Sequence, residues 1–85
     1  MWHEIERILH WLEVGEVAEA RRQVVALRRR WQRLGRPAGQ VAVLLEVRRL
    51  LAGQPGARRQ DQAWYRLQGL KLAERGMAAE SLHWG

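Results

Sequence analysis

The chain has 85 residues, a formal net charge of +6 and no cysteine. A domain of this length buries only about 60–65% of the surface its unfolded form exposes. With neither disulfides nor a zinc-ligand spacing, its stability has to come from helix packing or oligomerisation.

Trp2, Ile5, Ile8, Leu9 and Leu12 recur at helical spacing and predict a first helix over about 2–14, with Trp11 off to one side of that apolar face. The opening Met1-Trp2-His3-Glu4-Ile5-Glu6 is acidic and amphipathic, and no apolar run reaches the roughly 18 residues of a membrane span. A soluble, cytoplasmic protein with no membrane partner is therefore expected. Gly15 breaks the pattern, and a second helix over 16–34 starts at once with Glu16 in its first turn. Two helices joined at a single glycine are expected to fold back as a helical hairpin.

The second helix separates its residues into two faces. Val17, Ala20, Val24, Leu27, Trp31 and Leu34 form an apolar stripe, while Arg21, Arg22, Arg28, Arg29 and Arg33 project on the other side and Arg36 extends the row. No acidic residue stands three or four positions from Arg28, Arg29 or Arg33, so these cations lack intrahelical partners. Arg36 precedes Pro37, which disfavours helix and ends the element near Gly35.

A third helix over 38–52 is apolar nearly all round, with Val41, Val43, Leu44, Leu45, Val47, Leu50 and Leu51 interrupted only by Gln40, Glu46, Arg48 and Arg49. Such a helix needs cover on most sides. It belongs either at the centre of the packing or at a dimer seam, with Val43, Leu44, Val47, Leu50 and Leu51 as the packing or subunit-contact residues. Gly53-Gln54-Pro55-Gly56 is a turn, Arg58 and Arg59 follow it in a loop or an irregular helical turn, and Asp61 is a candidate N-cap for a fourth helix over 61–75. Trp64, Leu67 and Leu70 form its apolar strip, Tyr65 and Leu72 point elsewhere, and Gly69 allows a close helix approach. Gly76 breaks again, leaving a short fifth helix over 77–84. The expected fold is all-α: four helices plus a short C-terminal one, arranged as stacked antiparallel hairpins in one domain, 1–85.

Around the first turn, Trp11, Gly15, Ala20 and Val24 stand where a tetratricopeptide hairpin places its aromatic, its turn glycine, its small residue and a following bulky residue. Trp64 and Leu67 resemble the start of the same repeat, with Gly69 and Gly76 each one position late. The resemblance covers about half the chain. The turn glycines Gly15, Gly53 and Gly76 are spaced 38 and then 23 residues apart, where that family repeats every 34 or so. The resemblance implies a protein-binding scaffold rather than an enzyme.

Charge is unevenly distributed. Residues 1–20 hold five Glu and one Arg, and residues 21–85 hold fourteen basic and four acidic residues. The first helix can neutralise part of the basic region, and the remaining basic surface suits an acidic partner or phosphate. Catalysis is not expected: Ser81 and Asp61 are the only residues of their types, and no phosphate-binding glycine loop occurs. His3 and His10 are seven apart, with Arg7 between them, which is not a metal-site spacing, and His83 has no evident partner. No metal or cofactor is expected. Trp31 and Trp64 lie on apolar stripes as core anchors. Trp2, Trp11 and Trp84 are less well placed, and Trp11 is a candidate binding hot spot. The sequence thus predicts a non-enzymatic adaptor that recognises an acidic protein through Arg21, Arg22, Arg28, Arg29, Arg33 and Arg36, of the kind found among regulators and small subunits of complexes. A protein that binds nucleic-acid backbone or RNA shape, and a structural homo-oligomer held by the third helix, are the alternatives.

Overall fold

A computed structural model describes residues 2–84, with side chains as far as Gly76. It contains four helices: α1 (Trp2–Glu13), α2 (Val17–Arg33), α3 (Ala38–Leu50) and α4 (Ala57–Trp84). There is no strand among the described residues, and no described helix is long and apolar enough to cross a membrane.

Each helix packs on two neighbours. α1 meets α2 and α4, α3 meets α2 and α4, and the diagonal pairs α1/α3 and α2/α4 stay apart. Glu6 lies opposite Lys71 and Glu13 opposite Trp64, so α1 and α4 run antiparallel. Together with the tight α1–α2 and α2–α3 turns, this closes the chain into an up-down-up-down four-helix bundle.

The core is the set of residues that the three-and-four spacing brings inward. α1 contributes Ile5, Ile8, Leu9 and Leu12, and α2 contributes Ala20, Val24, Leu27 and Trp31. Leu44, Val47 and Leu51 come from α3 and its C-cap, and Ala63, Leu67 and Leu70 from α4. Trp31 is the largest fully buried side chain. Trp64 packs on the edge of this core and is only partly buried.

The first two turns use one device. Gly15 and Gly35 adopt positive φ, +82° and +69°, which glycine reaches without the strain a Cβ would bring. Around each, the glycine N–H donates to the carbonyl three residues back (Leu12, Gln32) and the next N–H to the carbonyl five back (Trp11, Trp31). This is a Schellman closure that satisfies the last carbonyls of α1 and α2. At the second turn the residue after the glycine, Arg36, lays its guanidinium over the Trp31 ring, 4.6 Å from the centroid. The Pro37 carbonyl then accepts from the N–H groups of Gln40 and Val41 and opens α3.

Several expectations need correction. Leu34 is exposed: as the C-cap it follows the last turn of α2, and the Gly35 turn carries it off the apolar stripe. α3 is not central; it occupies one corner of the bundle. Leu44, Val47 and Leu51 face inward, Val41, Val43 and Leu50 lie partly buried against them, Leu45 is half-buried and Ala42 is exposed. α4 begins at Ala57, so Arg58 and Arg59 are helical and Asp61 is not its cap. The Gly56 carbonyl accepts the Gln60 N–H, and the Gln60 amide donates to the Pro55 carbonyl at 2.9 Å. Two arginines in a first turn oppose the helix dipole by only a few tenths of a kcal/mol, and Ala57–Gln60 contains no helix breaker. Nor does Gly76 end α4. A lone glycine in a helix costs about 1 kcal/mol, too little to stop it, and 77–84 continue α4 rather than form a fifth helix. Gly69 allows no close approach either, since a Cβ there would meet nothing within 4 Å. The side chains of Ser81, His83 and Trp84 lie outside the described residues.

Candidate functional site

The acidic first helix does neutralise part of the basic chain. Glu4 of α1 pairs with Arg30 of α2, Glu6 stands 3.8 Å from Lys71 of α4, and Glu13 accepts from the Trp64 indole N–H at 3.4 Å. Between α3 and α4, Glu46 pairs with Arg66 at 3.1 Å. These contacts tie α1 to α2 and α4, and α3 to α4. None joins α2 to α3.

The six arginines of the predicted row separate into two groups. Arg22 is paired within α2, 2.6 Å from Glu19. The same carboxylate accepts from the Gln23 amide, and these two hydrogen bonds, Gln23's and then Arg22's, hold Glu19 below its usual acidity range. Arg36 is built into the fold: it pairs with Glu74, which is itself buried, donates to Gln40 at 2.8 Å and covers Trp31. Its side chain is only 19% exposed. Arg21, Arg28, Arg29 and Arg33 make no ion pair among the described residues. The Nε of Arg28 is buried without a hydrogen-bond partner.

Three of the row join residues of α3 in a groove of about 600 Å³ along the outer side of the α2–α3 hairpin. Arg21, Arg22 and Arg29 line it from α2, and Arg48 and Arg49 from the last turn of α3. Val25, Ala26 and Ala52 form its apolar lining. Toward the hairpin turn a second hollow of about 400 Å³ follows on the same two helices, where Arg28, Gln32 and Arg36 flank Ala38, Val41, Ala42 and Leu45. The α3 residues 38, 41, 42, 45, 48, 49 and 52 share one helical face, so the two hollows follow one outer face of the hairpin. Arg33 lines neither.

Arg48 and Arg49 were missed as site residues because their own helix gave no sign of it. The signal was the hairpin register: Arg49 lies as far after the Gly35–Arg36 turn as Arg22 lies before it, so a tight antiparallel turn sets the two pairs side by side. Among the described residues, only Arg22 of the five arginines of the first hollow has a carboxylate partner. A concave surface lined by one sign of charge over low-dielectric walls focuses its field outward and attracts anions.

Trp11 is elsewhere. It is partly buried against the core on α1, with its indole N–H buried and unpartnered, and lines neither hollow. No protein-family profile, curated protein or solved structure matches this chain.

Proposed function

We propose that the protein is a non-enzymatic binding module that recognises an acidic protein through the arginine face of α2, extended by Arg48 and Arg49 of α3. One observation supports this above the rest. Arg21, Arg29, Arg48 and Arg49 line a single groove with no carboxylate paired to them among the described residues, although the same chain pairs Arg22, Arg30, Arg36 and Arg66. Like charges held together destabilise a fold unless an external anion balances them. The aliphatic lining favours a protein over nucleic acid: none of the residues lining the two hollows is aromatic, so bases would have nothing to stack on. A two-fold dimer through this face is disfavoured by the same charges, because an isologous contact would bring the arginine clusters of both copies together.

The test is affinity capture from the native host with and without nuclease, comparing the wild-type chain with Arg21→Gln/Arg29→Gln/Arg48→Gln/Arg49→Gln. A protein that survives nuclease and is lost with the quadruple variant is the expected result. Equal recovery by both chains, or loss of all captured material on nuclease treatment, contradicts the proposal.

A further inference from the structure

The two hollows along this face differ, and the difference identifies what shape of acidic partner they take. At the end formed by the start of α2 and the last turn of α3, five arginines surround a small lining of Val25, Ala26 and Ala52. At the end near the Gly35 turn, α3 offers Val41, Ala42 and Leu45, with Arg28 as the main flanking charge, since Arg36 is engaged by Glu74. An extended anionic polymer would find charge at one end only. A globular acidic surface would not enter a furrow between two helices.

We infer that this groove is the seat of a single amphipathic helix from the partner, acidic in one half and apolar in the other. The acidic half lies over Arg21, Arg29, Arg48 and Arg49, and the apolar half over Val41, Ala42 and Leu45. The inference rests on the acidic-partner reading above and adds the partner's conformation and polarity. Side chains on two packed helices leave a furrow into which the ridge of a third helix fits, and helix-in-groove docking uses apolar anchors at three-and-four spacing. Along α3, from Ala38 to Leu50, this face runs for about 18 Å at 1.5 Å per residue, which matches a helix of about 12 residues. Charge complementarity fixes which half of the helix lies at which end. Ala42 is exposed and Leu45 only half-buried, so this stretch of α3 keeps apolar surface that the bundle does not fully cover.

The experiment measures binding of three fluorescent probes to the whole chain by anisotropy. They are a synthetic helical peptide with glutamates in one half and leucines along one face of the other, the same composition scrambled, and a single-stranded oligouridylate. The variant is Ala42→Arg, at an exposed position, with circular dichroism as the control for folding. The patterned peptide is expected to bind at least about tenfold more tightly than the scrambled one, and Ala42→Arg to weaken it by about tenfold, or 1.4 kcal/mol. Attraction by charge alone gives the opposite sign, since the variant adds a cation. If the scrambled peptide binds as well, or Ala42→Arg strengthens binding, the helix inference fails while the acidic-partner reading stands. If neither peptide binds, or only the oligouridylate does, both fail.

Discussion

The α1–α4 side and the α2–α3 side of the bundle treat charge in opposite ways. Between α1 and α4, Glu6 meets Lys71, Glu13 holds the Trp64 indole, and Arg75 sits 5.0 Å from the Trp2 ring centroid. Across α2 and α3 there is no cross-helix ion pair among the described residues, and both helices turn arginines into the same furrow. A chain able to place carboxylates opposite cations on one side leaves Arg21, Arg28, Arg29, Arg48 and Arg49 without an ion pair among the described residues on the other. On the proposed reading, that difference marks the α2–α3 side as the surface that meets the acidic partner.

The largest effect should come from the charged pair that the fold does bury. Glu74→Gln leaves Arg36 charged and largely buried beside Trp31, and stability measured by urea unfolding should fall by about 3 kcal/mol. Probe binding under native conditions should change little, because Arg36 already belongs to the interior. A loss below about 1 kcal/mol would mean that Arg36 is solvated and available to a ligand, which would blur the contrast between paired and unpaired arginines.

Gly69→Ala should stabilise the protein by about 0.5–1 kcal/mol, through the unfolded chain as much as through the helix. The added methyl meets open space and the position is already helical. Destabilisation in thermal melts would show instead that α3 and α4 approach closely there.

Smaller in size but directly on the contrast, Arg29→Gln should raise stability by a few tenths of a kcal/mol at low ionic strength, and the gain should vanish in 1 M salt. The same change at an arginine the bundle does pair, Arg66→Gln opposite Glu46, should not stabilise at any salt concentration. Identical salt profiles for the two would mean that paired and unpaired arginines do not differ in charge balance.

Smallest is the contribution of Glu19. Its carboxyl is held below its usual range by Gln23 and Arg22. A depressed folded pKa contributes stability at neutral pH that disappears as pH falls through the acid range. Glu19→Gln should therefore flatten the acid side of the stability–pH curve slightly, and an unchanged curve would show that the exposed Glu19–Arg22 pair is energetically silent.

Periodicity made three of the four helices legible, because an inward stripe at steps of three and four is a local property. Ile5, Ile8, Leu9 and Leu12 in α1, and Ala20, Val24, Leu27 and Trp31 in α2, were readable for that reason. Two kinds of feature were not. The extent of α4 depends on a sum of small terms: Arg58 and Arg59 at the wrong pole of the helix, and glycines at 69 and 76, each cost less than its packing returns through Ala63, Leu67 and Leu70. The site depends on what lies across from what. Arg36 belongs with the α2 row in sequence but is drawn inward by Glu74, 38 residues away. Arg48 and Arg49 belong to the site only because the Gly35 turn folds them against Arg21 and Arg22. An apolar circumference on α3 suggests burial at the centre, yet helices in a closed ring each have an outer face, and that of α3 carries Ala38 and Ala42 at one end and Arg48 and Arg49 at the other.

The most direct measurement is a two-dimensional amide NMR titration of the labelled protein with the acidic, half-apolar helical peptide. Shifts concentrated on Val25, Ala26, Arg29, Ala42, Leu45, Arg48 and Ala52, with α1 and the outer side of α4 at Tyr65 and Leu72 unmoved, are the predicted result. Shifts centred on the α1–α4 side, or none at a peptide concentration of about 1 mM, where even a weak complex of roughly −4 kcal/mol is half formed, would contradict it.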